Sequence, residues 1–212
     1  MGKDVSVKYV FLDVVDYSSR TIEKQYTIVT LLQEIVRTSV TTLIKYNWLY
    51  ESLHDYCEFL PTGDGMCIAI KNRHDDDIAV LVALKILDNL YTHNSQNEDM
   101  QFEIRIGINI NKDIEYIDIN DAPNFAGRGI NLAQRIMDMS DGGNILVSSS
   151  VYEILGQRDK YHDKFRDLGE WVLKKEKLRL YQYIDESNKA LNNKPPNNNH
   201  NHITANVKKR KN

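Results

Sequence analysis

The sequence predicts an α/β sandwich, with helices packed on a mixed sheet, and three observations carry that prediction. Runs rich in Val, Ile, Tyr and Phe alternate with apolar stripes spaced three and four apart, so strands and helices interleave. Several of the runs come as pairs around Gly- and Asp-containing turns, which adds hairpins to the βα units. The length of 212 residues, 42% of them hydrophobic, suits one domain, or one domain with a tail.

The elements follow in order. Val5 to Val15 is nearly continuous in apolar residues, as a strand covered on both faces would be, and acid appears where it runs out. From about Lys24 to Tyr46 the positions Ile28, Leu31, Leu32, Ile35, Val36, Leu43 and Ile44 form one helical stripe. Tyr56 to Leu60 and Met66 to Ile70 flank Pro61-Thr-Gly-Asp-Gly65, a tight reversal, so a hairpin is expected. His74 to Asp77 precedes the stripe Ile78, Val82, Ile86 and Leu90, and its acids are expected to cap that helix. Phe102 to Ile110 and Asp113 to Ile119 read as a second hairpin, and Asn120 to Ala126 as a loop. Gly127 to Met139 reads as a helix, Asn144 to Ser148 as a strand and Ser149 to Leu155 as a short helix. Phe165 to Leu173 and Arg179 to Ile184 are the last strands.

After Asp185 the composition turns to Asn, Lys, Pro and His. Such a segment cannot bury enough apolar surface to offset the entropy of ordering. Residues 1–187 are therefore expected to form the domain and 188–212 a disordered tail. His200, His202 and the basic end Lys208 to Lys211 receive no role.

A net charge of −3 and a pI near 6.1 exclude the strongly basic footprint of a dedicated nucleic-acid binder. Cys57 and Cys67 are too few for a disulfide scaffold and lack metal-finger spacing, which favours a reducing compartment. No apolar run approaches the ~18 residues of a membrane span, and the start lacks the order of a signal peptide. A soluble, cytoplasmic protein is expected.

The chemistry rests on three segments. Asp13 stands where the first strand runs out, and Asp64 at the tip of the Gly63-Asp64-Gly65 turn. If their strands are neighbours, two hard oxygen ligands converge beside an open face, a donor set for Mg²⁺ or Mn²⁺ shared with a triphosphate. By spacing alone the alternative stays open, since an Asp in a turn commonly serves the turn. Asn131 and Arg135 lie four apart in Gly127-Arg-Gly-Ile-Asn131-Leu-Ala-Gln-Arg135, so a helix presents both on one face. Together they suit a ribose oxygen and phosphate oxygens; the alternative is a local bond and a surface salt bridge.

FLDVVDYS (Phe11 to Ser18), LPTGDG (Leu60 to Gly65), IRIGIN (Ile104 to Asn109), AGRGINLAQRI (Ala126 to Ile136), GGNILVSSSVYEIL (Gly142 to Leu155) and LGEWVLKKEKLRLYQY (Leu168 to Tyr183) occur in this order. Over residues 5 to 185 the sequence resembles the class III nucleotide cyclase domain. The resemblance implies a ferredoxin-like α/β fold, a mixed and mostly antiparallel sheet with helices packed on it, acting as a head-to-tail homodimer whose two sites lie between the chains. It implies that Asp13 and Asp64, with the Val14 carbonyl, hold two divalent cations, Mg²⁺ or Mn²⁺. Asn131 then orients the ribose and Arg135 stabilises the transition state. Lys174 or Lys175 falls nearest the family's triphosphate-binding lysine, and backbone amides at Ser18 and Ser19 are further phosphate contacts, or Ser18 and Ser19 cap the following helix. The implied reaction is attack of the ribose 3′-oxygen on the α-phosphorus with release of pyrophosphate.

The family's two purine-reading positions hold Leu60 and Asn124 here, and an apolar Leu60 supplies neither reader's polar contact. The short chain is similar to the pyrimidine cyclases of bacterial antiphage signalling, the Pycsar systems. The expectation is therefore UTP, then CTP, with Asn124 facing the base and Tyr56, or Tyr50, stacking on it or packing in the strand. A separate cyclic-nucleotide-binding effector would read the product. The competing readings are an adenylate cyclase with atypical base readers and a silent nucleotide-binding domain of the same fold.

Overall fold

The strand expected at the centre is flanked on both sides. β1 (Lys3–Val14) pairs antiparallel with β3 (Gly65–Ile70) and with β4 (Ile104–Ile117). A computed structural model describes residues 2–44, 52–71, 75–173 and 176–197. Around that centre lie α1 (Ile22–Leu43), β2 (Cys57–Pro61), α2 (Ile78–Gln96), β5 (Pro123–Ala126), α3 (Gly129–Asp138), β6 (Ile145–Ser148), α4 (Ser149–Leu155), β7 (Phe165–Leu173) and β8 (Glu176–Tyr183). The sheet order is β2-β3-β1-β4-β6-β8-β7, with β5 paired to β4. The β4–β6 pair is parallel and the rest are antiparallel, so the mixed, mostly antiparallel sheet is as expected.

Alternation along β1 divides the molecule into two faces. Val10, Leu12 and Val14 join the large core under α1, α2 and α4, whereas Tyr9 and Phe11 join a second core under α3. Helix α1 starts at Thr21, whose hydroxyl accepts from the Lys24 amide, and buries Ile28, Leu32, Ile35, Val36 and Val40. That stripe stays dry, as a helix on a sheet requires. On the other face α3 lies against bare backbone: a Cβ on Gly107 would stand 2.3 Å from the Met137 amide nitrogen. Glycine is what lets this helix approach so closely.

Three expectations are corrected. The second hairpin does not turn at Asn111, because Asn111 and Lys112 stay in register with Val7 and Ser6 of β1. Pairing overrides the polar residues that read as a turn, and the reversal comes at Asp118 to Ala122, where the Asp118 carboxylate accepts from the amides of Asn120 and Ala122. The chain then returns as β5, within the stretch expected to be loop. Second, Asp77, the acid at the start of α2, does not cap it with its side chain. Its Oδ2 accepts from Lys160 Nζ and Tyr161 Oη, each at 2.8 Å, while Asp76 pairs with Arg158. His74 lies outside the described residues. Third, packing does not stop at residue 187. Leu191 is buried in the helix-side core, and the carbonyls of Asn192 and Lys194 accept from the amides of Asn144 and Gln182. Two buried side-chain amides (Asn144 and Gln182) give this Asn-rich stretch the partners its composition conceals.

Candidate active site

The β1–β3 register sets Asp13 opposite Gly65, so the acid at the end of β1 stands beside the turn that carries Asp64. The Val14 amide donates to the Asp64 carbonyl at 3.3 Å, tying the turn to the strand end. By alternation Asp13 shares the α3 face with Tyr9 and Phe11. Its Oδ2 accepts from Arg105 Nη2 at 2.8 Å, and its Oδ1 lies on the Gly65 side. Burial pushes the Asp13 carboxyl above the ordinary range; Arg105 opposes that shift, and the neighbouring Asp64 charge adds to it. The proximity of the two carboxyls is therefore felt electrostatically. Among the described residues no group of three or more His, Cys, Asp and Glu comes together; the acids form a pair, which is the number Mg²⁺ takes when phosphates and water fill its other positions. Val14 follows directly, with its side chain in the helix-side core.

Helix α3 buries Gly129, Ala133, Ile136 and Met137, which turns Asn131 and Arg135 to the other side. Asn131 is exposed and Arg135 half-buried. The helix runs back along β4, from Asn111 and Asp113 at Gly129 to Gly107 at Met137, and so heads towards Arg105.

Leu60 is partly buried against the α3-side core that contains Phe125, placing it on the same face as Asp13. Its neighbour on that face, Glu58, is held by Lys71, which also bridges to Glu115 of β4. On β5, Asn124 donates Nδ2 to Asp118 Oδ2 at 3.3 Å and accepts the Phe125 amide at 2.8 Å. One N–H and one lone pair remain for a ligand. Tyr56 packs against the helix-side core, behind the sheet as seen from Asp13, which is the packing alternative of the two expected for it. Tyr50, Lys174 and Lys175 lie outside the described residues. Ser18 and Ser19 are exposed in the 3-10 turn Tyr17–Ser19, and neither hydroxyl caps α1, which Thr21 does. The Ser19 hydroxyl and the Ser19 amide both donate to the Asp16 carbonyl, at 2.7 and 3.3 Å.

One site residue escaped the sequence reading. Arg105 lies in the IRIGIN segment, and the period of two from Asn109 and Gly107 would have put it on the α3 face across from Asp13.

The family model described as "Adenylate and Guanylate cyclase catalytic domain" matches residues 3–185. The chain belongs to that family. This nucleotide cyclase domain shares its fold with solved structures of low identity. The adenylyl cyclase CyaB from P. aeruginosa superposes with a TM-score of 0.70 at 17% identity, covering 91% of this chain and 100% of that one. The guanylate cyclase domain of RhGC from Catenaria anguillulae, in complex with GTP, gives 0.66 at 20% identity, covering 86% and 98%. A rhodopsin-guanylyl cyclase core with converted specificity, in complex with ATPαS, gives 0.67 at 20% identity, covering 87% and 98%. No protein of curated function matches the sequence significantly. Among the described residues no helix is long and apolar enough to cross a membrane.

Proposed function

We propose that this cyclase domain converts a pyrimidine nucleoside triphosphate, UTP ahead of CTP, into the 3′,5′-cyclic monophosphate and pyrophosphate. The observation that carries the catalytic part is the convergence of Asp13 and Asp64 through the β1–β3 pairing. Two carboxylates pressed together, one already raised in proton affinity, form a site that a divalent cation relieves. Mg²⁺ or Mn²⁺ held there, with the Val14 carbonyl as a further donor, would lower the pKa of the 3′-hydroxyl and offset triphosphate charge. The remaining work falls to the chain. Asn131 bonds a ribose oxygen and fixes the sugar, and Arg135 donates to the α-phosphoryl oxygens as charge grows on them. Backbone amides at Ser18 and Ser19 meet phosphate oxygens, and Lys174 or Lys175 the triphosphate. The 3′-oxygen bonds to the α-phosphorus, the bond from that phosphorus to the bridging oxygen breaks, the hydroxyl proton leaves to solvent, and pyrophosphate departs. Positioning and electrostatics supply most of the rate.

Two copies complete the site, the acids of one meeting Asn131 and Arg135 of the other. Exposed Ile114, Tyr116, Ile117 and Ile119 along the β4–β5 arm favour such a homodimer. For the base, Leu60 offers a purine edge no polar contact, and Asn124 retains one donor and one acceptor, enough for uracil or cytosine. GTP in one related structure and ATPαS in one of converted specificity support the view that base choice lies in a few side chains of a shared frame. The product would act as a messenger read by a separate cyclic-nucleotide-binding effector, in an antiphage role, and the protein would work in the cytoplasm.

Incubation of the purified protein with ATP, GTP, CTP or UTP and Mn²⁺, followed by mass measurement, tests this. Cyclic UMP, or cyclic CMP, is the expected product. A lone cyclic AMP signal would defeat the pyrimidine assignment, and four blank reactions with an intact dimer would leave a silent domain.

A further inference from the structure

Beneath α3 lies a buried carboxylate that neither the metal pair nor the base positions use. Asp113 of β4 is 4% exposed. Its Oδ2 accepts from Tyr9 Oη at 2.7 Å and from the Gly129 amide at 3.0 Å, and Asn111 Nδ2 donates to its Oδ1. The Gly129 carbonyl in turn accepts from Asn109 Nδ2 at 3.1 Å, so β4 grips both polar groups of the first residue of α3. No side chain fits in the grip: a Cβ on Gly129 would stand 2.4 Å from Asp113 Oδ2 and from Tyr9 Cε2, and one on Gly127 would stand 2.0 Å from Asp113 Oδ1. A buried carboxylate is costly unless fully bonded. Here the bonds are supplied, and the start of a helix is where negative charge is favoured.

We infer that Asp113 is a positioning residue, whose hold on the first turn of α3 sets where Asn131 and Arg135 stand in the composite site. The inference rests on the cyclase reading above. Arg135 is six residues further on, ~9 Å along the axis, so a small tilt at Gly129 displaces its guanidinium. A misplacement of ~1 Å is enough to cost ~100-fold in rate.

Asp113→Asn keeps the size and one oxygen but loses the charge. It is expected to lower kcat ~10- to 100-fold with Mn²⁺ affinity unchanged, since Asp13 and Asp64 sit on other elements. Hydrogen exchange should quicken in α3 and stay as it was in β1 and β3. Coexpressed mixed dimers give the readout that general destabilisation would not: Asp113→Asn should regain activity with Asp64→Ala, which supplies a sound α3, and not with Arg135→Ala. Tyr9→Phe, which removes one bond and leaves the acid, should show a milder loss in the same pairing pattern and serves if Asp113→Asn does not fold. Rescue by both partners, or by Arg135→Ala, overturns the inference, as does wild-type kcat in both variants. Silence of the wild type with all four nucleotides would sink the cyclase reading instead. The positioning claim then stands or falls on α3 exchange in the variant, with unchanged exchange rejecting it.

Discussion

The two faces of the sheet are built on different terms. The face under α1, α2 and α4 is an apolar core, with residues such as Ile68, Ile86 and Ile106 fully buried. The face under α3 mixes a smaller apolar core with buried or half-buried polar groups, namely Tyr9, Asp113, Asn109, Glu58, Lys71 and the Asp13–Arg105 pair. Asp13 and Leu60 fall on the second face, whereas Tyr56 packs on the first and Asn124, paired with Tyr116 and next to Phe125, alternates away from the α3 core. Apolar burial gives stability without chemistry, and a polar face gives placed charges at the expense of easy packing.

The sharpest break of this contrast is Asp64→Ala, on the polar face. Turnover should fall by ~10³-fold or more, the several kcal/mol that metal-held charge stabilisation contributes, with dimerisation intact by gel filtration. Retained turnover would reject the metal role. Next is Lys71→Ala, which removes the buried cation between Glu58 and Glu115 and leaves Glu58 with His54 alone; it should lower unfolding free energy by ~3 to 5 kcal/mol in urea titrations. Combining Lys71→Met with Glu58→Gln and Glu115→Gln should recover most of that loss, because no lone charge is then left buried. On the apolar face, Ile68→Ala should cost ~2 to 5 kcal/mol through the cavity it opens and leave kcat per folded molecule unchanged; a fall in kcat would blur the division.

A smaller effect is read in pH. The Asp13 carboxyl is raised by burial first and by the Asp64 charge, against Arg105. Ion and proton compete for it, so Mn²⁺ affinity should begin to fall at a higher pH than for an ordinary Asp, then by about tenfold per pH unit. The metal-free fold has the opposite sign: the contribution from Asp13 is complete below the unfolded carboxyl's pKa and is lost as pH rises through the raised one. Smallest of all, Ile119→Ser, at a 97% exposed position, should change the stability of a single chain by less than ~0.5 kcal/mol while weakening the dimer in sedimentation.

β1 was legible as a nearly continuous apolar run, α1 as a helical stripe, and the β2–β3 hairpin as two β-rich runs around a Gly- and Asp-containing turn. The length of β4 was not, since Asn111 and Lys112 read as the turn between two strands and only their pairing with Val7 and Ser6 of β1 shows them as strand. Asp13 and Asp64 were legible as a strand end and a turn tip. The roles of Arg105 and Asp113 were not: a period of two gives their face, but an Arg or Asp inside a strand gains meaning only from the partner across the ladder. For Tyr56 the sequence left stacking and packing open for a related reason: it lies just ahead of β2, where alternation no longer tells which core its ring joins.

The measurement that bears most directly on the composite site is subunit mixing. Asp64→Ala and Arg135→Ala, each inactive as a homodimer, should regain about a quarter of wild-type activity when coexpressed, because half the dimers then carry one intact site of two. No recovery in dimers shown to be mixed would contradict a site shared between two chains.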